Sequence, residues 1–74
     1  MEKVQISTEW IKLDQAMKLS GAVMTGGEAK WLIEDSCVLV NDEVCTLRGK
    51  KLHAGDRFSI LDKDGSRYDY IIEG

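Results

Sequence analysis

Residues 25–41 contain three consecutive segments: Thr25-Gly26-Gly27-Glu28-Ala29-Lys30, Leu32-Ile33 and Val38-Leu39-Val40-Asn41. Thr25 and Glu28 have the spacing of a capping box, in which each side chain accepts a hydrogen bond from a backbone N–H at the start of a helix. Apolar residues then recur at helical spacing and predict one buried stripe, formed by Ala29, Leu32 and Ile33. These residues predict a helix that begins directly after Thr25.

The apolar pattern changes to a period of two after Ser36, which predicts a β-hairpin. Its arms are residues 37–40 and 43–47, and Asn41-Asp42 forms a two-residue turn. In this register the side chains of Cys37 and Cys45 lie on opposite faces of the sheet. We therefore expect both cysteines to be free thiols.

Two further elements are predicted before the helix at Thr25. Residues 1–7 alternate apolar and polar side chains, which indicates an edge strand. Thr8 is the predicted N-cap of a helix that runs to about Ser20, because apolar residues recur there in steps of three and four. Gly21 then ends this helix, since glycine readily adopts the positive φ found at helix C-termini.

The C-terminal part of the chain predicts strands and turns. Arg48–Lys51 is a basic loop, and Leu52–Asp56 is a turn that leads into a strand at Arg57–Leu61. Asp64-Gly65 is a hairpin turn signal, and Arg67–Ile72 is the returning strand. The expected fold class is therefore α+β, with two N-terminal helices packed on a small, mainly antiparallel sheet of three to five strands.

Length and charge narrow the possible functions. A chain of 74 residues forms a single domain, residues 1–74, whose small core leaves no room for an enclosed active site. The net charge is −3, from 10 Lys and Arg against 13 Asp and Glu, and the acidic excess lies outside Trp10–Arg57. No apolar run approaches the ~20 residues that span a bilayer, and we expect a cytoplasmic protein without a membrane segment.

The sequence carries no catalytic or metal-binding pattern. His53 is the only histidine, and no serine or cysteine pattern near it indicates a nucleophile with a general base. Cys37, Cys45 and His53 do not have the spacing of a zinc site. Neither a P-loop nor a dinucleotide-binding fingerprint is present. We therefore expect neither catalysis nor a cofactor.

A set of short motifs along the chain resembles a known family. In order, these are Lys12-Leu13-Asp14, Thr25-Gly26-Gly27-Glu28-Ala29-Lys30, Leu32-Ile33, Val38-Leu39-Val40-Asn41 and Gly55-Asp56. Their order and spacing are similar to those of the RNA-binding domain first described in ribosomal protein S4, also called the alpha-L motif. The segments at residues 25–30 and 48–52 look like those of the small stand-alone bacterial members of the YaaA and YbcJ type.

The resemblance implies non-catalytic binding of structured RNA, with ribosomal RNA as the leading candidate. It also implies a role in ribosome assembly or maturation. The family-like core covers residues 11–61, and a C-terminal hairpin covers residues 57–72. We expect a monomer that has no small-molecule substrate. An alternative is a protein–protein adaptor that keeps the fold but has little RNA affinity. The acidic ends favour this alternative, as does Gly26, because many family members have arginine there.

The candidate RNA-binding residues are basic side chains and residues at a helix start or a turn. The backbone N–H groups of Gly26 and Gly27 can point at a phosphate where the helix dipole favours negative charge. A single lysine on a helix is more often simply solvated, a capping box is most often only a cap, and Asn41 most simply serves its turn. The full candidate set is Lys12, Thr25, Gly26, Gly27, Lys30, Asn41, Arg48, Lys50 and Lys51.

The aromatic residues have simpler roles in packing. Trp31 adjoins Lys30 and could stack on an RNA base, although covering the edge of the core is the simpler role. Core and sheet packing is the predicted role of the other four aromatic residues, Trp10, Phe58, Tyr68 and Tyr70.

Overall fold

The computed structural model describes residues 1–74 and contains seven strands and two helices. In chain order, the elements are β1 (Glu2–Gln5), β2 (Trp10–Lys12), α1 (Leu13–Leu19), α2 (Gly26–Glu34), β3 (Val38–Val40), β4 (Glu43–Val44), β5 (Lys51–His53), β6 (Arg57–Leu61) and β7 (Arg67–Glu73). With seven and nine residues, the two helices do not reach the length and apolarity that a membrane-spanning helix requires.

Five strands form the main sheet, in the order β1-β7-β6-β3-β4. β1 pairs with β7 in parallel, and the other neighbouring strands are antiparallel. Every second residue faces the core, where Phe58 lies between Val40 on β3 and Tyr70 on β7. This mainly antiparallel sheet confirms the predicted α+β class, and β1 confirms the predicted edge strand within residues 1–7.

One apolar core joins both helices to the main sheet. Its largest fully buried side chains are Phe58, Leu13, Met17, Ile33, Leu52, Ile72 and Val38. Phe58 and Tyr70 stack with their ring centroids 4.8 Å apart. β2 and β5 form a separate two-stranded sheet, and Leu52 attaches this small sheet to the core.

The hairpin between β3 and β4 has the predicted turn. Asn41 and Asp42 have φ values of 50° and 70°, the left-handed conformation that a two-residue type I′ turn requires. The N–H of Cys45 donates to the carbonyl of Val38 (3.0 Å), which is the register predicted from the sequence. Cys37 and Cys45 are free thiols.

Three element boundaries also follow the sequence prediction. β6 has the predicted bounds, Arg57–Leu61, and β7 extends the predicted strand by one residue. Gly65 has a φ of 90° in the turn that joins them. Gly21 follows the C-cap of α1 with a φ of 80°, so it ends this helix as predicted.

Three local predictions are wrong, two before α1 and one at β5. The helices do not come first in the chain, because β1 and β2 precede them. Thr8 is not a helix N-cap: α1 begins at Leu13, and the Thr8 hydroxyl donates to the carbonyl of Trp10 (2.8 Å). The predicted turn at Leu52–Asp56 begins too early, because Leu52 lies within β5. The errors at Thr8 and at Leu52 share one cause, since β2 and β5 pair across a long stretch of sequence that local periodicity does not report.

Candidate nucleic-acid interface

The small sheet has one polar face and one apolar face. β2 and β5 are antiparallel, with the residue pairs Trp10–His53, Ile11–Leu52 and Lys12–Lys51. Because side chains alternate along a strand, the middle pair lies on one face and the other two pairs lie on the opposite face. Leu52 is fully buried and Ile11 packs against the core, so the remaining four residues form the outer face of the small sheet.

The basic loop before β5 is tied to the start of α1 by main-chain hydrogen bonds. The N–H of Leu13 donates to the carbonyl of Lys50 (2.9 Å), and the N–H of Asp14 donates to the carbonyl of Arg48 (3.2 Å). These carbonyls satisfy N–H groups that the side chain of the N-cap residue does not bind. The loop therefore lies beside the small sheet, and together they form the basic cluster, defined as Lys12, Arg48, Lys50 and Lys51.

The basic cluster has no ion-pair partner within the protein. All four residues are exposed, and none of them takes part in an ion pair. Lys12 and Lys51 lie directly opposite each other, and like charges in this position destabilise a sheet. The fold gains nothing from this repulsion, whereas a bound anion would relieve it.

Trp10 adds an aromatic surface to the outer face of the small sheet. The Nζ atom of Lys51 lies 4.6 Å from the centroid of the Trp10 ring, within the range of a cation–π contact. Trp10 is 36% exposed and lies outside the apolar core, so of its predicted role in core and sheet packing only the contact with the sheet is present. Its two-residue spacing from Lys12 is the sequence signal that indicates a shared strand face.

The start of α2 carries a variant of the predicted capping box. The hydroxyl of Thr25 accepts a hydrogen bond from the N–H of Glu28 (3.1 Å), as predicted. The carboxylate of Glu28 accepts from the N–H of Met24 (3.0 Å), one residue before the donor of a standard capping box. The helix begins at Gly26, directly after Thr25.

The N–H groups of Gly26 and Gly27 make no hydrogen bond within the protein. A Cβ atom at Gly26 would meet nothing within 4 Å, and one at Gly27 would meet only the Thr25 hydroxyl, 3.9 Å away. Neither glycine has a positive φ. Packing and backbone geometry therefore do not require glycine at either position, although glycine in a helix costs about 1 kcal/mol relative to alanine.

Two other candidate residues make contacts within the protein. The Nζ atom of Lys30 lies 4.0 Å from the carboxylate of Glu34, one turn further along α2. Asn41 uses both of its side-chain groups: the amide donates to Asp56 (3.3 Å), and the oxygen accepts from the N–H of Arg57 (3.0 Å). Asn41 therefore joins the turn between β3 and β4 to the turn that precedes β6.

Asp56 fixes the turn that follows β5. Its carboxylate accepts a hydrogen bond from the N–H of His53 (2.7 Å), and this bond is the main reason why the pKa of Asp56 is lowered from its usual value. The amide of Asn41 lowers the same pKa further. The Nδ1 atom of His53 lies 3.7 Å from this carboxylate, so the imidazole is held at one end of the outer face.

Comparison with known proteins agrees with this arrangement. A family model described as the S4 domain matches residues 4–67. The chain belongs to the S4-domain family. This S4 domain is 47% identical over 53 residues to a Bacillus subtilis (strain 168) protein named probable ribosome maturation protein RlbA. The match covers 72% of this chain and 75% of that relative. Both findings confirm the resemblance that the sequence motifs indicate.

The predicted site residues of this S4 domain do not all lie together. The basic cluster contains four of them: Lys12, Arg48, Lys50 and Lys51. Four others lie at the start or in the middle of α2: Thr25, Gly26, Gly27 and Lys30. Asn41 lies apart, in the turn between β3 and β4. α1 and α2 pack against each other. The basic cluster lies at the start of α1, and the two glycines lie at the start of α2. Sequence reasoning missed Trp10 and His53, which share the outer face with the two paired lysines.

Proposed function

We propose that this S4 domain binds structured RNA without catalysis and that ribosomal RNA is its leading candidate ligand. One observation carries the proposal. The pairing of Lys12 with Lys51 and the hydrogen bonds to the carbonyls of Arg48 and Lys50 bring together four exposed cations, none of which forms an ion pair. Such a group offers favourable sites for successive phosphates of an RNA backbone.

The basic cluster binds phosphates, and the neighbouring groups add orientation. The unpaired N–H groups of Gly26 and Gly27 hold a further phosphate at the start of α2, where the helix dipole favours an anion. The exposed ring of Trp10 offers a surface for an unstacked base, a contact that contributes ~1–3 kcal/mol in other proteins. Contacts of this kind recognise the shape of a folded RNA more than its sequence.

A role in ribosome maturation, carried out in the cytoplasm by a monomer, is part of the proposal. Its support is the similarity to the B. subtilis protein, whose name describes it as a probable ribosome maturation protein. The balance of charge is compatible with this role, because the acidic excess lies outside the segment that contains the basic cluster.

A titration of the protein against structured fragments of ribosomal RNA, repeated at several salt concentrations, tests the proposal. For about four phosphate contacts to duplex RNA, the logarithm of the association constant should fall with the logarithm of salt concentration with a slope of roughly −3 to −4. The RNA should be recovered uncleaved and unmodified. Binding that is absent or insensitive to salt would refute the proposal.

A further inference from the structure

A second exposed surface lies between α2 and the hairpin of β6 and β7. It is an open groove of about 340 Å³, and most of its lining residues are apolar. Two aromatic residues line it and remain half exposed: Trp31 on α2 (50%) and Tyr68 on β7 (48%). Exposed apolar side chains that line one groove together, rather than lie singly on the surface, mark a candidate binding surface. We define this surface as the aromatic groove.

The charges at the aromatic groove are mainly negative. The carboxylates of Glu28 and Asp62 line it, and Asp35 lies next to it, 3.7 Å from the thiol of Cys37. Lys63 is the one basic residue among the lining residues. The groove therefore has the opposite charge to the basic cluster, and it would repel an RNA backbone.

The contact between Lys63 and Trp31 shows what the groove can bind. The Nζ atom of Lys63 lies 5.0 Å from the centroid of the Trp31 ring, so this ring face already holds a cation. Because Lys63 belongs to an exposed turn, its side chain can move aside and leave the ring to another cation. Arginine is well suited to this position, since its planar group stacks on aromatic rings and pairs with carboxylates.

We propose that the aromatic groove binds a basic segment of a protein partner, in which arginine or lysine alternates with apolar residues. A basic side chain lies on the Trp31 ring and pairs with Glu28 or Asp62, and an apolar side chain enters the groove beside Tyr68. This site differs in charge from the proposed RNA interface, and the two surfaces adjoin at Glu28, which follows Gly27 at the start of α2. The protein therefore has two faces of opposite charge, and it can bring an RNA and a basic protein segment together.

The two tryptophans allow both faces to be observed in one experiment, because each indole N–H gives its own NMR signal. A short peptide of alternating arginine and leucine should shift the Trp31 signal in a saturable manner and leave the Trp10 signal in place. A peptide of alternating glutamate and leucine is the matched control and should shift neither signal. A ribosomal RNA fragment should shift the Trp10 signal alone.

Substitutions distinguish the groove from general charge attraction. Trp31→Ala should weaken binding of the arginine–leucine peptide by about tenfold or more, the effect expected at an aromatic anchor. Glu28→Gln combined with Asp62→Asn keeps the hydrogen-bond acceptors of both residues and should weaken peptide binding about fivefold. The pair Glu43→Gln and Glu73→Gln removes the same charge at residues that do not line the groove and should leave peptide affinity unchanged. Trp31→Ala should leave RNA affinity unchanged.

Three results would overturn the inference. The first is the absence of a saturable shift of the Trp31 signal with the arginine–leucine peptide. The second is an equal loss of peptide affinity in both charge-neutralised pairs, which would reduce the contact to non-specific attraction. The third is an RNA-induced shift of the Trp31 signal, or loss of RNA affinity in Trp31→Ala, which would assign the groove to RNA. Because peptide and RNA are measured separately, failure here leaves the proposed RNA interface standing.

Discussion

The small sheet and the outward face of the main sheet both carry exposed basic residues, but only the two arginines of the main sheet, Arg57 and Arg67, are paired with carboxylates. The Nε atom of Arg67 lies 2.8 Å from the carboxylate of Asp69, and both Arg67 and Arg57 contact Asp42. On the small sheet, Lys12 and Lys51 face each other and neither forms an ion pair. The difference indicates that the arginines of the main sheet serve the fold, whereas the lysines of the small sheet are available to a phosphate.

The two groups are also positioned by different means. On the main sheet, the buried hydroxyl of Ser59 donates to Asp69, and this bond, followed by the one from Arg67, lowers the pKa of Asp69. At the small sheet, the main chain does the positioning, because the carbonyls of Arg48 and Lys50 bind the first N–H groups of α1. The side chains of the basic cluster are therefore left in solvent.

Charge reversal at the small sheet should give the largest effect. Lys12→Glu combined with Lys51→Glu should lower RNA affinity by at least about 100-fold, from about 1.5 kcal/mol for each lost charge-assisted contact. Stability should fall by only about 0.5–1 kcal/mol from loss of the cation–π contact of Lys51 with Trp10, because one pair of like charges replaces another at the same register. Filter binding measures the affinity, and thermal unfolding followed by circular dichroism measures the stability.

The matched control for charge reversal is Lys3→Glu combined with Lys63→Glu. It makes the same change in total charge, but neither residue belongs to the basic cluster. Its RNA affinity should stay close to that of the unmodified protein. Equal losses of affinity in the two double variants would mean that RNA responds only to net charge, and the comparison of the two sheets would fail.

Replacement of the glycines at the start of α2 should separate stability from binding. Gly26→Ala and Gly27→Ala should each raise the free energy of unfolding by about 0.4–1 kcal/mol, because alanine is accommodated there and restricts the unfolded chain. RNA affinity should fall, since a methyl group keeps a phosphate away from the backbone N–H groups. Urea unfolding and RNA titration measure the two effects. Unchanged affinity in both variants would show that these N–H groups do not contact RNA.

Disruption of the paired arginines should give the smallest effect. Arg67→Gln should lower the thermal unfolding midpoint at neutral pH, because the contacts with Asp42 and Asp69 are weakened, and RNA affinity should not change. The pKa of Asp69 is lower in the folded protein than its usual value of about 3.9. The ionised carboxylate therefore stabilises the fold above this usual value, and the stabilisation is lost as the pH falls through the folded-state pKa of Asp69. The difference between variant and unmodified protein should therefore disappear in acid. A difference that persists there, or a loss of RNA affinity, would contradict this assignment.

Sequence reasoning succeeded where structure is determined by neighbouring residues. The Asn41-Asp42 turn, the strand Arg57–Leu61 and the helix start after Thr25 depend on turn chemistry, on local alternation and on a cap within a few residues. Each of these features is determined by residues that lie only a few positions apart in the sequence. The same holds for Gly21, whose positive φ ends α1.

Sequence reasoning failed where two distant segments pair. Trp10 and Leu13 have helical spacing, so the strand Trp10–Lys12 was assigned to a helix, and its partner around Leu52 was assigned to a turn. Because the small sheet was missed, Trp10 was placed in the core instead of beside Lys51. The sequence indicates the candidate basic residues one by one along the chain, but only the pairing of β2 with β5 shows which of them share one face.

The central claim is that Lys12 and Lys51 neutralise phosphates, and the salt dependence of RNA binding tests it most directly. The titration should be performed side by side on the unmodified protein and on Lys12→Ala combined with Lys51→Ala. Loss of two phosphate contacts should make the log–log slope shallower by about 1.4–1.8. Identical slopes for the two proteins would show that these lysines do not contact the RNA backbone and would contradict the account.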